Sequence, residues 1–396
     1  MTNRKVLIFH DKESLRPIGG PSGYLNSLSD GLGQIPEPTL EIHYLPRSEV
    51  SKKRPKLENG KIIERLKEWL RPLYGGLAHC KYINTILNTK INTSIDFNQY
   101  DAIHFHTTLD LYQSRDKLKD YKGKIILTSH SPEPLSMEII EGGYDWDRKL
   151  FSSKYCKLIE MDRYSFNRAD YIIFPCEASD EPYAHRWQEY ESIKKKNINK
   201  YRYLLTGTIP ATVKTGRHGL RKKYGIPEDA FVISYVGRHN EIKGYDLLRV
   251  VGDKVLNNYS DVYFLIAGAA QPLKGLDNRR WIEVGWTDEP HSITNASDIF
   301  ILPNRETYFD LVLLEVLSLG KIVVASNTGG NKYFREQKGI MLYDNLSECY
   351  ELLDSLHSSN SNVLNQLGLS NRNLYLAQFK TRIFAENYLR LLNSLI

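Results

Sequence analysis

Short runs of β-branched, aromatic and leucine residues alternate along the chain with longer stretches whose apolar positions recur every three or four residues. The short runs predict strands at 4–10, 40–45, 101–106, 124–129, 170–175 and 202–206. A second series falls at 231–236, 262–267, 281–285, 298–302, 321–326 and 339–342. Several contain unbroken apolar stretches such as YIIF and IVVA, as strands buried on both faces of a parallel sheet require. Helical periodicity lies between them, at 22–33, 244–257, 311–319 and 346–357. Strand and helix alternating throughout predict an α/β protein with right-handed crossovers.

Polar, lysine-rich sequence near 180–230 separates the two series. The expected architecture is two doubly wound, Rossmann-like domains, 1–205 and 206–379, facing a central cleft. The carboxyl ends of the strands, where open α/β sheets bind ligands, would line that cleft. The last stretch reads as an amphipathic helix, 380–396, with Ile383, Phe384, Tyr388, Leu391 and Leu392 near one face. It is expected to pack back on the first domain.

Composition narrows the class. The 396 residues are 41% apolar and 25% charged, ordinary for a folded protein, and no run of about 18 apolar residues predicts a membrane span. The first residues hold too short an apolar stretch for a signal peptide. The four cysteines lie far apart with no C-x-x-C, so neither a disulfide framework nor a zinc site is expected, and a cytoplasmic location fits.

The net charge of +6 is unevenly spread. Residues 51–72 hold eight cations against three glutamates, a local +5. From Lys61 onward, Ile62, Ile63, Leu66, Trp69, Leu70 and Leu73 fall at helical spacing. The segment reads either as a basic amphipathic helix for an anionic membrane surface or as a domain helix with solvated cations. With the rest of the chain nearly neutral, nucleic acid is not an expected partner.

The chemistry concentrates at strand ends. After the 231–236 strand, Gly237 permits a tight exit, and Arg238 and Lys243 precede a helix. Two cations beside a helix N-terminus form either a phosphate site or an ordinary solvated loop. After the 298–302 strand, a polar loop leads to a helix near Leu311 that carries Glu315. That carboxylate could accept hydrogen bonds from ribose hydroxyls or simply complement the helix dipole as a first-turn acid. In the first half, Gly19 and Gly20 open a helix without a G-x-G-x-x-G fingerprint. His130 ends the strand KIILTSH at the cleft edge, as a polar contact, a proton-transfer group or a plain loop residue. His104 and His106 share a strand face, read as a packed pair rather than metal ligands. Asp145-Trp146-Asp147 is a D-x-D, too short and too far from a nucleotide strand to count as a metal site.

Taken in order, GGPSGYLNSLSDGL, KIILTSHSPEP, ADYIIFP, LRKKYGIPEDAFVISYVGRHNEIKGYDLL, VYFLIAG, WIEVGWTD, ASDIFILPNRE and YFDLVLLEVLSLGKIVVASNTGG resemble the retaining glycosyltransferases of family 4. The likeness is to their glycogen synthase-like and sucrose synthase-like group, which has the GT-B fold. It implies a metal-independent hexosyltransferase that moves a sugar from a UDP- or GDP-linked donor to a glycan or lipid-linked glycan, in bacterial surface polysaccharide assembly. Arg238 and Lys243 match the pair that holds the donor diphosphate, and Glu315 the carboxylate on the ribose. Leu311 and Val312 would meet phosphate and sugar at the helix start, and Gly285 and Trp286 would flank the base. Gly20 would approach the diphosphate from the first domain, and His130 matches the histidine near the transferred sugar. No cofactor is implied.

One departure stands out. The family's two glutamates bracket seven residues, whereas counting back from Glu315 reaches Thr307, with Glu306 one place upstream. The family's glycine after the loop phenylalanine is Asp310 here. Either a one-residue bulge at Thr307-Tyr308, the preferred reading, returns Glu306 to the sugar, or Thr307 and Asp310 read it differently. The departure keeps open a non-catalytic GT-B partner subunit as an alternative; a third reading is a nucleotide-sugar epimerase of the same fold.

Overall fold

A computed structural model describes residues 4–17, 20–46, 70–91, 93–130 and 133–396. Among the described residues, twelve strands form two parallel sheets of six. The first is built from β1 (Lys5–Asp11), β2 (Glu41–Leu45), β3 (Ala102–Phe105), β4 (Lys124–Leu127), β5 (Tyr171–Phe174) and β6 (Tyr201–Tyr203), in the order β2-β1-β3-β4-β5-β6. The second holds β7 (Phe231–Val236), β8 (Val262–Ala267), β9 (Trp281–Gly285), β10 (Ile299–Leu302), β11 (Ile322–Ser326) and β12 (Ile340–Tyr343), in the order β12-β11-β10-β7-β8-β9. Each predicted strand has its counterpart. The central strands β3 and β10 are buried at every residue; β10 is apolar throughout and β3 is so except for His104.

In both sheets the order reverses beside the first strand of the series, β1 or β7. The loops after β1, β4 and β5 meet the loops after β10 and β11. A Cβ added at Gly23 would lie 3.0 Å from Leu311 Cδ1, so the helix Gly20–Gly33 approaches the start of the Leu311–Ser318 helix closely at this glycine. Phe174, at the end of β5, packs against Tyr308 with ring centroids 5.6 Å apart. Glu181 accepts a 2.8 Å hydrogen bond from the Gly329 N–H and pairs with Lys332. The halves therefore touch through a continuous apolar cluster as well as across a polar cleft.

The helix Thr381–Leu395 buries Phe384, Tyr388, Leu389 and Leu392 in the same cluster as Val6, Ile8, Leu25 and Leu28. It packs along Gly20–Gly33, where a Cβ at Gly31 would fall 2.0 Å from the Thr381 carbonyl. Most of the basic stretch 51–72 lies outside the described residues. Its end is the start of the helix Arg71–Asn88, where Leu73, Tyr74 and Leu77 are exposed. Asp147 of the D-x-D is buried, accepting from Tyr155 Oη and lying 4.0 Å from His79 Nδ1, so it serves the packing of that region.

Candidate functional site

The loop after β7 is fixed against the loop after β10 at three points. Gly244 has φ +65°, and a Cβ there would sit 1.7 Å from the Pro303 carbonyl oxygen. The Arg305 N–H donates to the Ile242 carbonyl at 2.9 Å, and its guanidinium forks onto Asp246 at 2.6 and 2.5 Å. This clamp carries Lys243 to the start of the Leu311–Ser318 helix. Its ammonium lies 2.8 and 3.0 Å from the two carboxylate oxygens of Asp310. Asn304, itself buried, donates to the same carboxylate. Burial works against the Asp310 charge, but the Lys243 ammonium and these hydrogen bonds outweigh it and hold the carboxyl below its ordinary range.

Arg238 is exposed at the carboxyl end of β7 and has no charged partner among the described residues. Glu315 is five residues into its helix, beyond the first turn, which corrects the reading of a dipole-complementing acid there. The Thr212 N–H donates to His291 Nδ1 at 3.0 Å, so His291 Nε2 bears the hydrogen and donates to Glu315 at 3.2 Å. That bond orients the carboxylate. Leu311 and Val312 are half-buried at the helix start, and Trp286 is 78% exposed beside Gly285.

From the first sheet, Gly20 lies against His130, with a Cβ position 3.3 Å from its carbonyl oxygen. His130 Nε2 is 2.8 Å from His106 Nδ1, and its ring sits 4.4 Å from Tyr24. His104 next to them is bonded to Tyr388 at 3.0 Å and Thr128 at 2.8 Å. Burial, with neighbouring histidines adding to it, lowers His104 and His130 to about 3 and His106 well below its usual value. His130 is therefore a neutral ring at physiological pH. It acts as a hydrogen-bond partner and not as a cation.

Glu306 turns toward the first domain and pairs with His185 Nδ1 at 3.0 Å, while Thr307 is 1% exposed and Tyr308 is buried. Sequence reasoning missed its neighbour Glu133, in the SHSPEP segment after β4. The Arg186 guanidinium lies 3.3 Å from Glu133, and the carboxyl is only 7% exposed. Burial pushes it up to about 7; Arg186 opposes this, while the charges of Glu141, Glu138 and Glu306 add to it. A carboxyl pushed toward neutrality beside Glu306 is a feature no spacing rule reveals, because its cause is burial in the folded chain and not the sequence around it.

Between its ordinary value of 4.5 and about 7 the folded state holds the Glu133 proton more tightly than the unfolded chain, so this group's contribution falls as pH rises through that window. Relative to Glu133→Gln, the wild type should gain up to about 3 kcal/mol as pH drops from 7 to 4.5. Urea unfolding of both proteins across that range checks it; a constant difference would rule out the buried acid.

Two facing Rossmann-like sheets with a cleft between their strand ends define the GT-B fold. Residues 230–358, which include Arg238, Lys243, Asp310 and Glu315, match the family described as Glycosyl transferases group 1. The O-antigen biosynthesis glycosyltransferase WclY of Escherichia coli is 29% identical over 34% of this chain, and the match covers 42% of that protein's length. Glycogen synthase 2 of Nitrosococcus oceani is 31% identical over 28% of the chain and 25% of its own length. Among solved structures, sucrose-phosphate synthase of Thermosynechococcus elongatus superimposes with a TM-score of 0.61 at 16% identity, covering 99% of both chains. Anabaena HepE in complex with UDP-glucose gives 0.61 at 14%, covering 98% of this chain and 99% of its own.

Proposed function

We propose that the protein is a retaining hexosyltransferase of family 4, which transfers a sugar from a nucleotide-diphosphate donor to a glycan acceptor in bacterial surface polysaccharide assembly. The observation that carries this reading is the Lys243 ammonium held at the N-terminus of the Leu311–Ser318 helix, in the loop that also carries the exposed Arg238, with Glu315 held by His291 one turn deeper. Cations and free helix N–H groups meet growing negative charge on a departing diphosphate, an electrostatic form of catalysis that calls for no metal ion. Glu315 would take the ribose hydroxyls, and Trp286 would cover the base. Gly20, Leu311 and Val312 border the space for phosphate and sugar. The His130 ring, uncharged and fixed by His106, would offer its Nδ1 side to the transferred sugar, with Glu306 on the opposite wall. The departing phosphate would accept the acceptor's proton on the same face.

The acceptor would enter from the first domain. The exposed Leu73, Tyr74 and Leu77, directly after the basic stretch, support docking on an anionic membrane at the cytoplasmic face, where a lipid-linked acceptor resides. A non-catalytic partner subunit is the second reading, favoured by the engagement of Lys243 with Asp310.

A panel of UDP-, GDP- and ADP-sugars followed by thermal unfolding separates the two. A donor at about 100 Kd adds about 2.7 kcal/mol and should raise the melting temperature by a few degrees. No shift with any nucleotide sugar would favour the partner subunit.

A further inference from the structure

The Lys243–Asp310 pair does not hold the loop in place. Gly244 against Pro303 and the Arg305–Asp246 fork already do so. The pair opens toward the cleft, with 30% of the lysine and 18% of the aspartate side chain exposed. Asp310 stands at the cap position of the Leu311–Ser318 helix, yet its side chain caps nothing and is turned to Lys243. The first N–H groups of that helix thus remain available to an anion, while one of the two cations beside them is already matched. Arg238 is the unmatched one.

We propose that Asp310 is a resident competitor for the donor diphosphate. This rests on the nucleotide-sugar reading above. Carboxylate and diphosphate compete for the same ammonium, so binding requires the Asp310–Lys243 pair to open, and the pair re-forms as the nucleoside diphosphate leaves. Asp310 also keeps its negative charge next to the phosphates, because Asn304 still donates to it. The consequence is a donor pocket of deliberately modest affinity and fast product release. Asp310 thereby sets affinity for the phosphates alone, without touching the base.

Calorimetry with UDP, GDP and ADP, each paired with its nucleoside, tests this on the full chain. Asp310→Asn and Asp310→Gly should each tighten the preferred nucleoside diphosphate about tenfold, slow its dissociation in stopped flow, and leave the nucleoside's affinity unchanged. Arg238→Ala should weaken the diphosphate. Thermal melting of both Asp310 variants controls for folding, and the glycine variant decides if the asparagine one fails to fold. Unchanged or weaker diphosphate binding in the Asp310 variants, with Arg238→Ala still weakened, would overturn the competitor role and keep the phosphate site. Absence of nucleotide binding in every protein, wild type included, would overturn both.

Discussion

Lys243→Ala is expected to be more damaging than Arg238→Ala, although both remove one cation from the same end of the cleft. The difference lies in what each leaves behind. Arg238 is exposed and matched to no carboxylate among the described residues, so its loss removes attraction for phosphate and little else. Transfer should fall by about 10²-fold with the melting temperature unchanged. Removing Lys243 strands the largely buried Asp310 carboxylate beside the phosphates without its balancing charge. Leaving such a charge unpaired costs about 3 kcal/mol of stability, and the repulsion should take transfer down by about 10³-fold or more. Steady-state rates and chemical unfolding of both variants check the asymmetry. Adding Asp310→Asn to Lys243→Ala should restore most of the stability and about tenfold of the turnover, leaving the loss near that of Arg238→Ala. Equal losses in the two single variants would mean that the ion pair contributes nothing.

Acidification should destabilise the first domain through its histidines. His104 is hydrogen-bonded to Thr128 and Tyr388, His106 to His130, and ring contacts of His104 with His106 and of His130 with Tyr24 join them into one buried group. Their folded values lie far below the ordinary 6.5, so the unfolded chain takes up protons that the folded one refuses. The stabilisation is complete above about pH 6.5 and is lost progressively as pH falls toward about 3. At pH 5 His104 and His130 each cost about 2 kcal/mol, and His106 shifts the balance in the same direction. Glu133 works in the opposite direction over part of this range, so the histidine loss appears in full in the Glu133→Gln background. His104→Gln and His130→Gln should each flatten the acid limb of urea-unfolding curves. An unchanged slope in both would show that the rings protonate freely.

The strands were legible because parallel sheets covered on both faces leave little choice of residue, and runs such as IFIL and IVVA have no other use. The helix boundaries at 245, 311 and 346 were legible within a residue or two, since Gly244, Asp310 and Asn345 precede them. The strand read at 202–206 ends at Tyr203, where the chain leaves the sheet to cross to the second domain. At the site, single positions were legible and pairings were not. Lys243, Asp310 and Glu315 each stood out, but the salt bridge from Lys243 to Asp310 spans 67 residues and depends on the contact of Gly244 with Pro303. Glu133 carried no signal, because its titration is set by cover drawn from distant segments. His291, which orients Glu315, reads in sequence as an ordinary helix residue.

The helix Thr381–Leu395 gives biosynthesis a timing problem. Phe384, Tyr388 and Leu392 complete a core whose other members, from Val6 to Leu204, are translated first. About 180 residues intervene between Leu204 and Phe384, and at ribosomal speeds they take roughly 10–40 s to emerge. For that interval Leu25 and Leu28 have no cover, and the nascent first domain presents a sticky, unfinished face. The second domain has its own sheet and can fold meanwhile. The order of completion is therefore inverted: the half made first is the half finished last.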